Sequence, residues 1–161
     1  MKTPAFLFRL VCLLSLTAAS AFSQQITVQK DQSSQVVLSA ADIAALAHTI
    51  VKVNGPDGTA SFSGVPMVKI LEKAGITFGE SLRGKRLASC LLVEAADGYR
   101  VVIALPELDP GFTDKQLLLV DERETHPLDD KEGPYRIVIP DEKRMARWVR
   151  QVKTLKIVDV Q

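Results

Sequence analysis

The sequence predicts an α+β fold, in which mixed β-sheets are accompanied by a few short helices. Segments with strand character outnumber helical ones, and the two kinds do not alternate as they do in a doubly wound α/β fold. Eight strands are expected, at residues 26–28, 48–53, 59–62, 85–96, 99–105, 116–120, 135–139 and 154–160. The sequence contains no internal repeat and no low-complexity tract, so we expect a single domain.

Residues 1–23 have the features of a secretory signal peptide. After a positive start, the apolar run at 10–16 is too short to span a bilayer. Ala21 and Ser23 place small residues at the two positions that a signal peptidase reads, which predicts a mature start at Gln24. An uncleaved membrane anchor is the alternative interpretation. We therefore expect a periplasmic or secreted protein with no stable membrane span after cleavage.

The mature chain has the size and charge of one compact domain. Cleavage would leave roughly 138 residues, enough for a hydrophobic core. We expect a polar N-terminal extension at 24–35 and the domain itself at 36–161. The chain has 20 basic and 19 acidic residues, and two of the basic ones lie in the signal peptide. This near-neutral balance argues against nucleic acid as a partner, because nucleic-acid binding relies on a basic surface.

The first half of the domain shows clear signals for turns and helix ends. Ser39 can cap a helix whose first turn carries Asp42, a residue that favours the positive end of the helix dipole. Turn-forming residues at 54–58 separate two strands. Pro66 is placed to open a second helix, and Gly75 is placed to end it.

Strands dominate the second half. Asp97 and Gly98 form the clearest hairpin signal in the chain, and a single helical turn is expected at 106–109. Pro140 has no backbone N–H to donate to a neighbouring strand, so the strand at 135–139 must end there.

After this proline the sequence predicts an amphipathic helix at 141–152. At about 100° per residue, apolar residues share one side of it: Met145, Trp148, Val149 and Val152. Basic residues share the other side: Lys143, Arg144, Arg147 and Arg150. We expect Trp148 in the core, whereas the basic side suits an anion such as a phosphate. A solvated face balanced by Asp141 and Glu142 is the alternative.

Two segments match a known family pattern. The strand and turn containing Gly133, Arg136, Pro140, Arg147 and Trp148 match Gly-x-Pro-x-Arg-x-x-x-Pro followed by a basic residue and tryptophan, with the second proline displaced to position 134. Residues 62–75 match Phe-x-Gly-Val-Pro-Leu-x-x-x-Leu-x-x-Ala-Gly, the most specific similarity. In these motifs and their order, residues 36–158 resemble the oxidoreductase molybdopterin-binding domain of the sulfite-oxidase type.

This resemblance implies the mixed-sheet fold of that family. In its catalytic members it also implies molybdenum held by a pterin dithiolene and one protein cysteine. That cysteine would close the strand at 48–55, which contains none, and Asn54 or a neighbour takes its place. An amide is a poor substitute for the soft thiolate that suits this metal. The resemblance assigns Arg147 to the pterin's phosphate, and we add Arg136 and Lys143 as candidate anion contacts.

The remaining cysteine and the histidines provide no metal motif. Cys12 leaves with the signal peptide, so Cys90 has no disulfide partner within the chain. Cys90 lies in a strand that is apolar on both faces, which favours a buried core residue over a ligand or a nucleophile. His48 and His126 lack the short-range partners typical of zinc sites, so we expect no metal ligands among them.

Two functional hypotheses follow. In the first, the protein is a non-catalytic binding module for a small anionic ligand or a protein partner, without a cofactor. In the second, it is a molybdopterin-dependent oxidoreductase or a carrier of the molybdenum cofactor. The missing cysteine favours the first hypothesis, and the family resemblance favours the second.

Overall fold

The computed structural model describes residues 24–55 and 58–159, and the signal peptide predicted for residues 1–23 lies outside the described residues. The described chain forms two five-stranded sheets, and short helices occur in the segments that connect the strands. Its strands are β1 (Gln25–Gln29), β2 (Gln35–Ser39), β3 (Thr49–Gly55), β4 (Gly58–Pro66), β5 (Cys90–Ala95), β6 (Arg100–Ala104), β7 (Leu118–Arg123), β8 (His126–Pro127), β9 (Arg136–Val138) and β10 (Val152–Val158). Its α-helices are α1 (Ala40–Ala44) and α2 (Met67–Lys73), and 3₁₀ turns form at Gly79–Ser81, Gly84–Ala88, Leu105–Glu107 and Met145–Arg147. The predicted α+β class with mixed sheets and few short helices is confirmed.

The first sheet has the strand order β2-β1-β10-β5-β6. β1 runs parallel to β10, with Thr27 opposite Thr154, and the other neighbours are antiparallel. Ile26 and Val28 are buried while the residues between and beside them are more exposed, the period-two pattern of a half-buried strand. The segment 24–35, expected to precede the domain, thus contributes β1 to the interior of this sheet.

The second sheet contains β3, β4, β7 and β8 in that order, with β9 also paired to β7. β4 and β7 approach closely at Gly64, because a Cβ there would lie 2.6 Å from the Cα of Val120 and would also meet the carbonyl oxygen of Leu119. The pairing shifts between Ser63 and Gly64, where Asp121 of β7 has no residue opposite it. This β-bulge locally changes the face on which the side chains of β7 lie.

Both α-helices begin as the sequence predicts, and the second also ends as predicted. The Ser39 hydroxyl accepts from the backbone N–H of Asp42 at 3.2 Å, and the Asp42 carboxylate accepts from the backbone N–H of Ser39 at 3.1 Å. This reciprocal capping box fixes the start of α1. Helix α2 begins directly after Pro66, and Gly75 follows its end with φ of 87°. No helix among the described residues is long and apolar enough to cross a membrane.

The prediction of an amphipathic helix at 141–152 is wrong. Only Met145–Arg147 forms a helical turn, of the 3₁₀ type. The backbone N–H of Ile137 donates to the carbonyl of Val149 at 2.7 Å, and the N–H of Val152 donates to the carbonyl of Tyr135 at 2.8 Å, so the chain after the turn bonds to the β9 segment instead of forming helical hydrogen bonds. The core position predicted for Trp148 is confirmed, since only 5% of its surface is exposed.

The prediction of a single long strand at 85–96 is also wrong for residues 85–89. Residues Gly84–Ala88 form a 3₁₀ turn, and the strand begins only at Cys90. The Arg86 guanidinium donates to the Thr77 hydroxyl at 3.0 Å and to the Ser81 carbonyl at 3.1 Å. These bonds hold the turn at the surface, where 42% of Leu87 is exposed, so an apolar sequence there does not indicate an interior strand.

Candidate functional site

Arg136 is the central residue of the candidate site. It lies on β9, its side chain is 5% exposed, and its guanidinium lies 5.5 Å from the ring centres of both Phe62 and Trp148. The two rings meet edge to face, with their centres 5.9 Å apart. A guanidinium over aromatic faces is an attractive arrangement, so the rings hold the buried cation in a fixed position.

Two more arginines and one carboxylate surround this group. Arg136 donates to Glu132 at 2.6 Å, and Arg123 lies 3.7 Å from the same carboxylate oxygen. The Arg123 guanidinium also lies 5.6 Å from the Phe62 ring centre. Arg150 is exposed and has no ion-pair partner among the described residues. Three cations therefore lie around one anion, which contacts only Arg123 and Arg136, so this cluster carries an excess of positive charge.

The surroundings of Arg136 lower the pKa of its guanidinium. Burial lowers the pKa of its guanidinium, the contacts with Glu132 oppose that effect, and the charges of Arg150 and Arg123 lower the pKa further. The ordinary pKa of arginine is so high that Arg136 stays charged. An additional anion would relieve the repulsion among the three cations.

A cleft opens beside these residues. It has a volume of about 90 Å³, and its walls include Val53, Gly55, Gly58, Phe62, Arg123, Glu132, Arg136, Met145, Trp148 and Arg150. A second cleft of about 440 Å³ shares Arg136, Met145, Trp148 and Arg150 with the first and extends to Tyr99. The first cleft we call the arginine cleft. Its walls combine the end of the β3–β4 hairpin, β7, β9 and the 3₁₀ turn.

Two N–H groups at this site are unused. The Nε of Arg136 and the Nε1 of Trp148 are buried and have no hydrogen-bond partner among the described residues. Buried donors are normally paired, and an unpaired one costs free energy. The surplus donors and the surplus positive charge occur on residues that line the same cleft.

The structure places the three predicted anion contacts in different surroundings. Arg136 lines both clefts, but Lys143 and Arg147 do not line either of them. Arg147 is paired with Glu142 and lies 3.4 Å from Glu107, and the hydrogen bond to Glu142 is the main cause of its raised pKa. Lys143 is exposed. Anion binding by Arg147, which the resemblance implies, and by Lys143, which the basic side of the predicted helix suggested, stays a prediction outside the arginine cleft.

No feature of the sequence marks Arg123, Phe62 or Glu132 as site residues. Arg150 was recognised only as part of the predicted basic helix face. Phe62 and Arg123 are opposite one another on neighbouring strands, and the chain gives no local sign of that pairing. The signal that was available is Arg136 itself, because a long cation inside a strand requires an anionic or aromatic partner.

Molybdenum ligation does not fit the residues of the arginine cleft. Val53 and Gly55 of β3 lie in its wall, at the strand end where the family resemblance places the metal's cysteine, and no cysteine is present there. Cys90 is in the other sheet, paired with Val158 and Ala104. A molybdenum dithiolene centre would lack its protein thiolate at this position.

Cys90 differs in part from its prediction. It begins β5, an interior strand as expected, but it is partly exposed rather than fully buried. Burial, with a smaller contribution from Asp159, raises the pKa of its thiol. A raised thiol pKa disfavours the thiolate, which is the form that binds metals and acts as a nucleophile.

Comparison with known proteins supports the fold. No family model matches the chain, and no curated protein matches it. The crystal structure of the sulfane dehydrogenase SoxCD from Paracoccus pantotrophus is similar, with a TM-score of 0.65 and 16% sequence identity. The match covers 85% of this chain and 38% of that one, so the chain spans well under half the length of its structural neighbour. The similarity establishes a related fold.

Proposed function

We propose that this protein is a non-catalytic binding module for a small anionic ligand, and that the arginine cleft is its binding site. The observation that carries the proposal is the excess of three arginines over one carboxylate among the residues that line this cleft. Arg136 and Trp148, which also line it, each have a buried N–H donor without a partner among the described residues. Arginine guanidinium groups bind oxyanions through charge-assisted hydrogen bonds. The volume of about 90 Å³ suits a small oxyanion.

The rigidity of the cleft supports binding. Arg136 is held by the Phe62 and Trp148 rings and by Glu132, so its guanidinium loses little freedom when a ligand arrives. Preorganised groups bind more tightly because less conformational entropy is lost. Arg150, on the exposed side, supplies a cation that has no other partner among the described residues.

The second candidate is a molybdopterin-dependent oxidoreductase or a cofactor carrier. Its support is the motif resemblance and the structural similarity to a dehydrogenase. The arginine cleft offers cations for a pterin phosphate but no thiolate for the metal, so we derive no redox step through it. The binding-module proposal has one alternative ligand: a protein partner that docks on the arginines of the cleft instead of a small anion.

Isothermal titration with sulfate tests the proposed site directly. Arg150→Gln should weaken sulfate binding by about tenfold, the scale of one charged hydrogen bond. Arg83→Gln is the matched control, because Arg83 is 69% exposed, pairs with Glu80 and does not line the cleft. Equal affinities for the wild type and Arg150→Gln would contradict the proposed site.

The second candidate and the proposed export are tested on protein purified from the native exported fraction. We expect a mature N-terminus at Gln24, no stoichiometric molybdenum and no pterin fluorescence after oxidation. Stoichiometric molybdenum with pterin would replace the binding-module proposal with the oxidoreductase one. Recovery of the protein only inside the cell would contradict export.

A further inference from the structure

His48 makes two hydrogen bonds that require a proton on each ring nitrogen. Its Nδ1 lies 2.9 Å from the carbonyl oxygen of Leu46, and its Nε2 lies 3.1 Å from a carboxylate oxygen of Asp121. Both partners are acceptors, so the neutral ring, which has one N–H, can satisfy only one of them. The imidazolium form of His48 satisfies both.

Asp121 is the extra residue of the β-bulge in β7. Its other carboxylate oxygen is buried and has no hydrogen-bond partner among the described residues. His48 precedes β3, and β4 lies between β3 and β7. The His48–Asp121 contact therefore spans three strands and ties the bulged residue to the far edge of the sheet.

The bulge decides which side chain of β7 faces the arginine cleft. On the cleft side of the shift, Phe62 is opposite Arg123 and Ser63 is opposite Glu122. Continuing the regular register from the Gly64–Val120 pair would instead place Glu122 opposite Phe62. Keeping Asp121 in the bulge therefore keeps a cation, rather than a carboxylate, beside the aromatic rings.

The charged groups around His48 favour its protonated form. Asp121 and Glu122 of β7 both face it, and Tyr135, which precedes β9, lies near Asp121. Burial disfavours the imidazolium, but the hydrogen bonds to Asp121 and Leu46 outweigh burial, so the pKa of His48 lies above its ordinary 6.5. Burial and Asp121 raise the pKa of Tyr135 to about 12, so the phenol stays neutral at physiological pH.

We propose that His48 is a proton-dependent positioning residue for the arginine cleft: its protonated ring holds Asp121 in the bulge and so holds Arg123 in place for the anion. This inference rests on the proposed function. Both hydrogen bonds and the charge attraction to Asp121 are present at pH values below about 6.5. As the pH rises through the higher pKa of the folded state, the neutral ring keeps one N–H, so it loses its charge and one of the two hydrogen bonds, and its hold on Asp121 weakens. Anion affinity should fall over the same interval.

The test is the pH dependence of sulfate affinity, because sulfate keeps its charge from pH 5.5 to 8.5. At constant ionic strength, the wild type should bind sulfate about fivefold more weakly at pH 8.5 than at pH 6, the scale of one typical hydrogen bond. His48→Gln and Asp121→Asn should lose most of that pH dependence. His126→Gln is the control, because it removes the chain's other histidine, and it should retain the full response.

Three results would overturn the inference. If sulfate binds with the same affinity at both pH values, His48 does not position the site, and the proposed function stands. The same conclusion follows if His48→Gln is folded and keeps the wild-type pH response. If sulfate binds at neither pH, the proposed function and this inference fail together. An NMR titration of the His48 ring should have its midpoint in the same pH interval as the change in affinity.

Discussion

Trp148→Ala tests the packing on which the candidate site depends. The residue is 5% exposed, its ring meets Phe62 edge to face, and it covers the Arg136 guanidinium from 5.5 Å. Alanine would leave a cavity between the 3₁₀ turn and β9 and would remove one of the two rings that hold the buried cation.

The expected loss follows from these contacts. Truncating a buried large aromatic to alanine costs about 3–5 kcal/mol, combining lost transfer free energy and the cavity. The edge-to-face pair alone accounts for about 0.5–1.5 kcal/mol of that loss. Domains of this size are stable by about 5–15 kcal/mol, so the variant should fold but with much reduced stability.

Urea denaturation followed by far-ultraviolet circular dichroism measures this loss, since Trp148 is the only tryptophan and its fluorescence disappears with it. Trp148→Phe should cost less, about 1–2 kcal/mol, because Nε1 makes no hydrogen bond that phenylalanine would forfeit. Met145→Ala, at a side chain exposed by 39%, should cost under about 1 kcal/mol. A loss below about 1 kcal/mol for Trp148→Ala would refute the packing argument.

Three further variants test other parts of the fold. Gly64→Ala should destabilise by about 1–3 kcal/mol in urea denaturation, because its Cβ would lie 2.6 Å from the Val120 Cα; an unchanged midpoint would contradict the close approach. Ser39→Ala should cost about 1 kcal/mol through loss of the capping box with Asp42, measured in the same way. Cys90→Ala should leave sulfate affinity unchanged in calorimetry, and loss of binding by a folded variant would make the thiol part of the site.

The fold was largely predictable because its signals are local. The Ser39 cap, the glycine at 75 and the Asp97-Gly98 turn each act through a few neighbouring residues, and the structure confirms all three. The helix predicted at 141–152 failed for the opposite reason. Its apolar spacing fits a helix, but the carbonyl of Val149 accepts a backbone hydrogen bond from Ile137 of β9, so this segment bonds to a distant part of the chain instead of to itself.

The candidate site was only partly predictable. Arg136 belongs to the motif that carries the resemblance and was named as a candidate anion contact. Its position inside a strand is a further signal, because a charge there needs a partner. Whether a cation is neutralised depends on contacts that the sequence does not show. Arg147 pairs with Glu142, a neighbour in the sequence that was named as a balancing charge, and also with Glu107, which is 40 positions away. Arg150 has no ion-pair partner among the described residues.

The sequence alone determined the α+β class, the positions of most strands along the chain and the absence of a cysteine where the metal ligand of the resembled family would lie. Alternating apolar residues, caps and turns act over short distances, so they can be read along the chain. Tertiary structure decided which arginines share the cleft and which are paired elsewhere. It also decided, through the bulge at Asp121, that Arg123 rather than Glu122 lies opposite Phe62. These outcomes depend on the register between strands some 60 residues apart in the sequence. The net charge around the cleft depends on which charged side chains lie close together in space, whatever their separation in the sequence.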